Sequence, residues 1–429
     1  LMSNKFQEYK QLDLSQINKD VLKRWEEDDT FHKSISTREG KETFVFYEGP
    51  PSANGMPGIH HVMARAIKDI FCRYKTMKGY RVHRKAGWDT HGLPVELSVE
   101  KALNISKDDI GKKITVEEYN QACKKAVLRY TDIWEELTKK MGHWVDMNDP
   151  YVTYKPKYME TLWWLLKELY QKKLLYKGYT IQPYSPKAGT GLSSHELNQP
   201  GTYQDVTDTT VVAQFKVIPS TLPESLKSIQ GDLYILAWTT TPWTLPSNLG
   251  LTVGPNIEYV MVKTFNPYTH LPVHVVLAKA LLSKLFKPEG ENGDFDHYNA
   301  EQKLLPWKIV ANFKGTDIEG AHYEQLMPTD ASSMAAIEEI TPGAKPFRIL
   351  IGDFVTTEDG TGIVHTSPAF GADDYRVGQK NNIGILTLVD RAGKFVEGVG
   401  EFSNRYVKNY KDDPNYVDVN VDICVKLKK

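Results

Sequence analysis

The sequence predicts an α/β chain in two parts: a parallel βαβ unit, then a mostly β domain. Two observations carry this. Residues 43–47 form an apolar run of strand length that stops at a Gly/Pro loop, and a helix-periodic stretch and a second short apolar run follow. Near Gly201 the pattern changes to short β-rich runs separated by turn residues.

The first forty residues read as a helical arm, because Leu12, Leu14, Ile17, Val21, Leu22 and Trp25 recur at mixed helical spacing among charges. Thr43-Phe44-Val45-Phe46-Tyr47 reads as a strand and residues 48–55 as a loop that ends it. A helix is expected from Ile59 to Met77, with Val62, Ala66, Ile67, Ile70 and Phe71 on one face. Residues 80–83 read as a second strand, closing at Gly87-Trp88-Asp89. Two long helices are expected over 116–141 and 157–173, then an extended ribbon over 177–191, rich in Gly, Pro and Lys. Residues 211–215, 234–238, 259–262 and 273–277 read as strands of a domain that runs to about residue 400. The alternation at 417–423 reads as one more strand. The expected divisions are an arm at 1–40, an α/β domain with its ribbon at 41–200, the β-rich domain at 201–400 and a return segment at 401–429.

The chain of 429 residues is 41% hydrophobic and 25% charged, as an ordinary globular protein is. Its net charge of -1 says nothing global about nucleic acid, and any contact with a polyanion must come from local clusters. Local pairs such as Lys139-Lys140 and Lys172-Lys173 read first as solvated helix faces. Three cysteines, far apart and without a Cys-x-x-Cys pair, give no disulfide framework. No apolar run is long enough to span a bilayer, and the first residues lack an apolar signal core. A monomer in the cytoplasm with no membrane partner is the expectation.

Two stretches carry chemistry. A helix start after a strand and a Gly/Pro loop offers free N–H groups and a positive dipole end, which makes 49–61 a candidate nucleotide site. The GxGxxG and GxxxxGK[ST] fingerprints are absent from it. In the second part, Trp238-Thr239-Thr240-Thr241-Pro242-Trp243-Thr244-Leu245-Pro246-Ser247-Asn248 packs five hydroxyls into a proline-stiffened loop. It reads as a polar ligand site or as a Thr-rich strand and turn. Further on, a strand-like run ends at His365 and a Gly/Pro turn leads to Asp373-Asp374. A histidine and a carboxylate converging there could place a water for ester hydrolysis. The other reading is a core histidine and a helix-capping acid. No Ser-His-Asp order and no metal-ligand cluster stands out.

The motif Glu48-Gly49-Pro50-Pro51-Ser52-Ala53-Asn54-Gly55, followed by Gly58-Ile59-His60-His61, resembles the first signature of class I aminoacyl-tRNA synthetases. Gly87-Trp88-Asp89-Thr90-His91-Gly92-Leu93-Pro94-Val95-Glu96 resembles the next block of the isoleucyl-tRNA synthetases, and the Thr-Thr-Thr-Pro-Trp-Thr loop resembles the editing insertion of that branch. The resemblance covers about residues 5–429. It implies a partial Rossmann-like catalytic domain with an inserted mostly β editing domain, and as partners isoleucine, tRNA(Ile) and ATP with Mg2+.

By this resemblance Gly49, Pro50 and Asp89 line the amino-acid pocket, with Asp89 on the ammonium. A helix N-cap is the alternative role for Asp89. Pro51, Asn54, Gly58, His60 and His61 would hold ATP. The family's His-x-Gly-His reads here Gly58-Ile59-His60-His61, so His60 stands in the glycine's place. Either the loop shifts and His60 supplies the missing catalytic imidazole, or His61 acts alone; the first is the reading taken. Thr239, Thr240, Thr241 and Thr244 would surround the terminal adenosine and the attacking water, His365 would screen the side chain, and Asp374 would hold the amino group. A second site is needed because valine differs from isoleucine by one methylene. That is worth only ~1–3 kcal/mol in an apolar pocket, a magnitude established on these same synthetases. Some relatives carry a Cys-x-x-Cys zinc pair in the ribbon. Ser185 and Ala188 stand there, so no zinc is expected. The resemblance also implies a longer protein, because no Lys-Met-Ser-Lys-Ser loop occurs in these residues. The chain alone is therefore expected to form no adenylate and to deacylate weakly.

Overall fold

The structure, a computed structural model, describes residues 11–227 and 229–428. The first ten residues of the expected arm lie outside the described residues. The chain divides into two compact units at Gly178/Tyr179.

In the first unit the arm is α1 (Leu14–Glu27) and α2 (Thr30–Ser36). Asp13 starts α1 by accepting a hydrogen bond from Gln16 N at 3.0 Å. Strand β1 (Thr43–Tyr47) and helix α3 (Ile59–Met77) fall where periodicity places them. Strands β2 (Arg81–Trp88) and β3 (Asp146–Val152) complete a parallel sheet in the order β1-β2-β3. Its registers pair Thr43 with Arg81 and Trp88 with Val152. Strand β2 is longer than the sequence suggests, because Arg84 sits in it yet is buried, its guanidinium 5.5 Å from the Trp144 ring centre. Helix α4 (Leu93–Leu103) follows.

The long helix expected over 116–141 is two helices, α5 (Val116–Val127) and α6 (Thr131–Lys140). The break at 128–130 frees Tyr130 N to donate to Ala53 O at 2.9 Å, so a contact from the distant loop overrides local helix propensity. Helix α7 (Pro156–Gln171) closes the unit. Ala53, Trp88, Trp134 and Val152 form a small core beneath the 49–55 loop.

The second unit begins with a short hairpin, β4 (Tyr184–Ser185) and β5 (Thr190–Gly191), and the single turn α8 (Ser194–Leu197). An eight-stranded mixed sheet follows: β6 (Val211–Lys216), β7 (Leu233–Thr239), β8 (Gly250–Val253), β9 (Glu258–Phe265), β10 (Pro272–Ala278), β11 (Lys308–Lys314), β12 (Arg348–Ile351) and β13 (Ile363–Thr366). Their order is β11-β9-β10-β7-β13-β8-β12, with β6 antiparallel on β7. Short helices α9 (Leu282–Leu285) and α10 (Met334–Ile340) lie between strands, and the longer α11 (Ala372–Asn381) follows β13. Phe215, Ile235, Leu251, Tyr259, Met261 and Tyr323 are fully buried in its core.

The strand expected at 417–423 is instead part of helix α12 (Val419–Leu427). Two facts decide it. The Asp418 carboxylate caps the helix by accepting from Asn420 N at 2.9 Å, and Val419 and Ile423, one helical turn apart, are both buried. Among the described residues no helix is long and apolar enough to cross a membrane.

Candidate functional site

Each unit holds one candidate site. In the first, the loop after β1 is pinned from several directions. Glu48 N donates to Lys85 O at 2.9 Å, which extends the β1–β2 pairing by one residue. Asp89 N donates to Pro51 O at 3.1 Å, Tyr130 N to Ala53 O, and Trp134 Nε1 to Gly55 O at 2.9 Å. The Tyr151 hydroxyl donates to Glu48 O at 2.5 Å. Its ring passes so close to β2 that a Cβ at Gly87 would lie 2.3 Å from ring carbon Cζ, so only glycine fits there.

Beside this loop lies a cleft of about 440 Å3, lined among others by Gly49, Pro50, Pro51, Asn54 and, from α3, His61, Arg65 and Lys68. The last three recur at i, i+4 and i+7, so one helix face lines the cleft with an imidazole and two cationic side chains, Arg65 and Lys68. Gly58 caps α3 without a side chain, and Gly58 N donates to His61 Nδ1 at 2.9 Å. Burial, with the charges of His60 and Arg65, lowers the His61 pKa. Beneath the cleft the buried Glu48 carboxylate accepts from Lys68 Nζ at 2.5 Å and from His143 Nε2 at 2.8 Å. Burial raises its pKa, but these bonds outweigh burial and hold it below the ordinary value.

His60 is exposed and lies against His61, ring centres 3.8 Å apart and planes tilted by 42°, while His61 is the one that lines the cleft. Asp89 is half-buried at the end of β2, and its Oδ1 accepts from His91 N at 3.2 Å. It does not cap a helix: α4 starts at Leu93 after Gly92, which takes φ +125°.

In the second unit the fold joins the hydroxyl loop to the end of β13. Thr244 Oγ1 and His365 Nε2 are 3.0 Å apart across 121 residues of sequence. Thr239, Thr241 and Thr244 form a row, with Oγ1 atoms 3.2 Å apart at each step, and Thr241 N donates to Thr239 Oγ1 at 3.1 Å. Thr240 is exposed, outside this row. On the other side of the imidazole, Asn248 Nδ2 meets His365 Nδ1 at 2.8 Å, and the Tyr323 hydroxyl donates to Asn248 Oδ1 at 2.6 Å. Burial pushes the His365 pKa down to about 4, with a hydrogen bond to Thr244 acting the other way, so the ring is neutral near pH 7.

Asp374, in the first turn of α11, accepts from Ser367 N at 2.8 Å, and Ser367 Oγ donates to Ser247 O at 2.9 Å. The Trp243 and Phe370 rings meet edge to face at 4.9 Å and close the two loops on each other. Burial raises the Asp374 pKa to about 6, opposed by the Ser367 N–H and helped by the charge of Asp373. Ser185 ends β4 and Ala188 lies in the turn that follows, where Ala188 N donates to Ser185 Oγ at 3.2 Å.

Residues 20–383 match the family described as tRNA synthetases class I (I, L, M and V). The chain belongs to this family. Isoleucine--tRNA ligase of Porphyromonas gingivalis is 59% identical over 423 residues, 98% of this chain and 36% of the relative. Those of Bacteroides fragilis (57%, all of this chain and 39% of the relative) and Cytophaga hutchinsonii (54%, 98% and 38%) are similar to it as well. The chain thus spans well under half the length of these curated relatives.

Within this class I synthetase chain, sequence reasoning missed several groups. Arg65 and Lys68 were open to discovery, because they follow His61 at helical spacing. His143 and Tyr323 carry no motif, and only folding brings them to their sites.

Proposed function

We propose that the protein containing this chain attaches isoleucine to tRNA(Ile) through isoleucyl-adenylate, and that its second unit hydrolyses valine wrongly attached to that tRNA. The likeness to isoleucine--tRNA ligases at 54–59% identity supports the first half. A single observation carries the second: a neutral, buried His365 meets Thr244 within a connected row of hydroxyls.

ATP, taken as its magnesium complex and so as substrate, fits the cleft beside Pro51, Asn54 and Gly58. There the α3 N-terminus, the His61 imidazole and the cationic Arg65 and Lys68 would meet its phosphates. Gly49, Pro50 and Asp89 are assigned to isoleucine. His61 is assigned to the phosphates directly, with the His60 ring packed against it. In the second unit Asp374 would hold the ammonium of the aminoacyl end. Thr239, Thr241 and Thr244 would hold the terminal adenosine and orient a water, and Thr240 would meet the adenosine from its exposed side. His365, neutral and fixed, would close the pocket against the longer isoleucine side chain. Catalysis then rests on a positioned water, with no covalent nucleophile. In this reading residues 41–200 are the first half of the catalytic domain, 201–400 the editing insertion and 401–429 the return segment, in a monomeric cytoplasmic enzyme.

The test is hydrolysis of Val-tRNA(Ile) beside Ile-tRNA(Ile) by the full-length enzyme. The wild type should clear the valine ester selectively. Asp374→Ala should abolish that activity or turn it onto Ile-tRNA. Equal hydrolysis of both esters by both proteins would overturn the editing assignment. The 429-residue chain alone, which contains no Lys-Met-Ser-Lys-Ser loop, is expected to give no ATP–pyrophosphate exchange.

A further inference from the structure

We propose that Tyr323 is a positioning residue for His365: its hydroxyl, acting through Asn248, fixes which imidazole nitrogen carries the proton. The relay is buried throughout, with Tyr323 at 1%, Asn248 at 3% and His365 at 7% exposure. No group in it is free to satisfy itself with bulk water, so each donor must face an acceptor.

The direction of every bond follows from one fixed point. Gly250 O can only accept, and Asn248 Nδ2 lies 2.9 Å from it. The amide NH2 therefore points to that side, and Oδ1 is left facing the Tyr323 hydroxyl at 2.6 Å, which must donate. The second Nδ2 proton goes to His365 Nδ1 at 2.8 Å. Nδ1 is then an acceptor, and the proton of the neutral ring is on Nε2. Nε2–H donates to Thr244 Oγ1 at 3.0 Å, whose own proton goes to Thr241 O at 2.8 Å.

The opposite tautomer would set Nδ1–H against the Asn248 NH2, donor on donor. It would also make Nε2 compete with Thr241 O for the Thr244 proton. Tyr323 guards against this because it gives Oδ1 its only hydrogen-bonded partner among the described residues. Its ring is locked edge to face between Phe215 at 5.4 Å and Phe347 at 6.1 Å, so the hydroxyl is delivered at a fixed place. Take the hydroxyl away and Oδ1 is a buried acceptor with no donor. The amide then has reason to turn, and the imidazole loses its fixed tautomer.

The consequence for hydrolysis rests on the editing reading; the tautomer itself does not. The test is the pair of ring-nitrogen NMR shifts of His365 in the 15N-histidine-labelled 429-residue chain, assigned by their absence in His365→Gln. The wild type should show a protonated Nε2 and a bare Nδ1. Tyr323→Phe, which keeps the ring and removes the hydroxyl, should move both shifts toward a tautomer mixture. A wild-type ring protonated at Nδ1, or a folded Tyr323→Phe with unchanged shifts, would overturn the relay. Should Tyr323→Phe fold poorly, Asn248→Asp makes the same test, because a carboxylate can only accept: Nδ1–H should then appear, and persistence of Nε2–H alone overturns the proposal. In full-length enzyme, because His365 Nε2–H orders the Thr244 hydroxyl that the editing reading assigns to the water, Tyr323→Phe should lower kcat for Val-tRNA hydrolysis about tenfold at unchanged KM. If the shifts move as expected while the wild type hydrolyses nothing, the relay is supported and the editing reading is what fails.

Discussion

Asp374 is pulled in opposite directions by stability and by its proposed task. Its folded pKa is about 6 against 3.8 for the ordinary carboxyl, with burial as the main cause. The fold therefore prefers the protonated form. That contribution to stability is fully present below about pH 4 and is lost as pH rises through about 6. Ammonium binding needs the carboxylate, so it is gained over the same rise. Urea unfolding of the wild type and Asp374→Asn at pH 4 and pH 7.5 should show this. The wild type should lose on the order of 2 kcal/mol relative to the variant on going to pH 7.5. A difference that does not change with pH would mean that the carboxyl is not held as described. Asp374, His365 and the threonines were readable in the sequence because they stand in compact motifs. Thr240 was read with its neighbours, yet it lies exposed just past the end of β7. Tyr323 was not readable, because its role depends on meeting a residue 75 positions away.

At the scale of elements, the sequence was most informative where one periodicity runs unopposed. Strand β1 and helix α3 have the bounds that their apolar patterns indicate. It failed where a distant partner decides. The α5–α6 break exists to bond Ala53 O, and α12 coils because Asp418 caps it and Asn420 Oδ1 accepts from Trp243 N at 3.0 Å. The loop at 49–55 shows the same dependence and yields a test. Trp134 holds Gly55 O through its indole N–H, packs edge to face on His61 at 4.7 Å and lies under the Arg65 guanidinium at 5.0 Å. Trp134→Phe keeps an aromatic ring but removes the N–H and weakens the cation–π contact. The expected cost is about 1–2 kcal/mol. Hydrogen exchange at residues 54–58 should speed up, with no change in β7, β9 or β10. Unaltered exchange at 54–58 would show that the loop is held without Trp134.

The two units differ most in how completely they cover their own apolar surface. Parallel sheets are ordinarily shielded on both faces, because the crossover helices that connect their strands pack there. In the first unit α3 leaves Ile59, Met63, Ile67, Ile70 and Phe71 exposed, β1 leaves Val45 and Tyr47 exposed, and α7 leaves Trp163 and Trp164 exposed. The sheet there has three strands, and the core beneath the 49–55 loop rests on a few side chains. The second unit buries a continuous core across eight strands, from Phe215 on β6 to Ile349 on β12 and Ile363 on β13. Stabilisation scales with apolar area removed from water, at roughly 25 cal/mol per Å2. The first unit of this chain should therefore open at a lower urea concentration than the second. Hydrogen exchange along a urea series reads this directly: amides of β1, β2 and β3 should lose protection first, while those of β7, β9 and β10 hold to the final transition. A dye that fluoresces on exposed apolar surface should bind before any urea is added and brighten little at the first step, because that surface is already open. Simultaneous loss of protection in both units would mean that they unfold as one cooperative body.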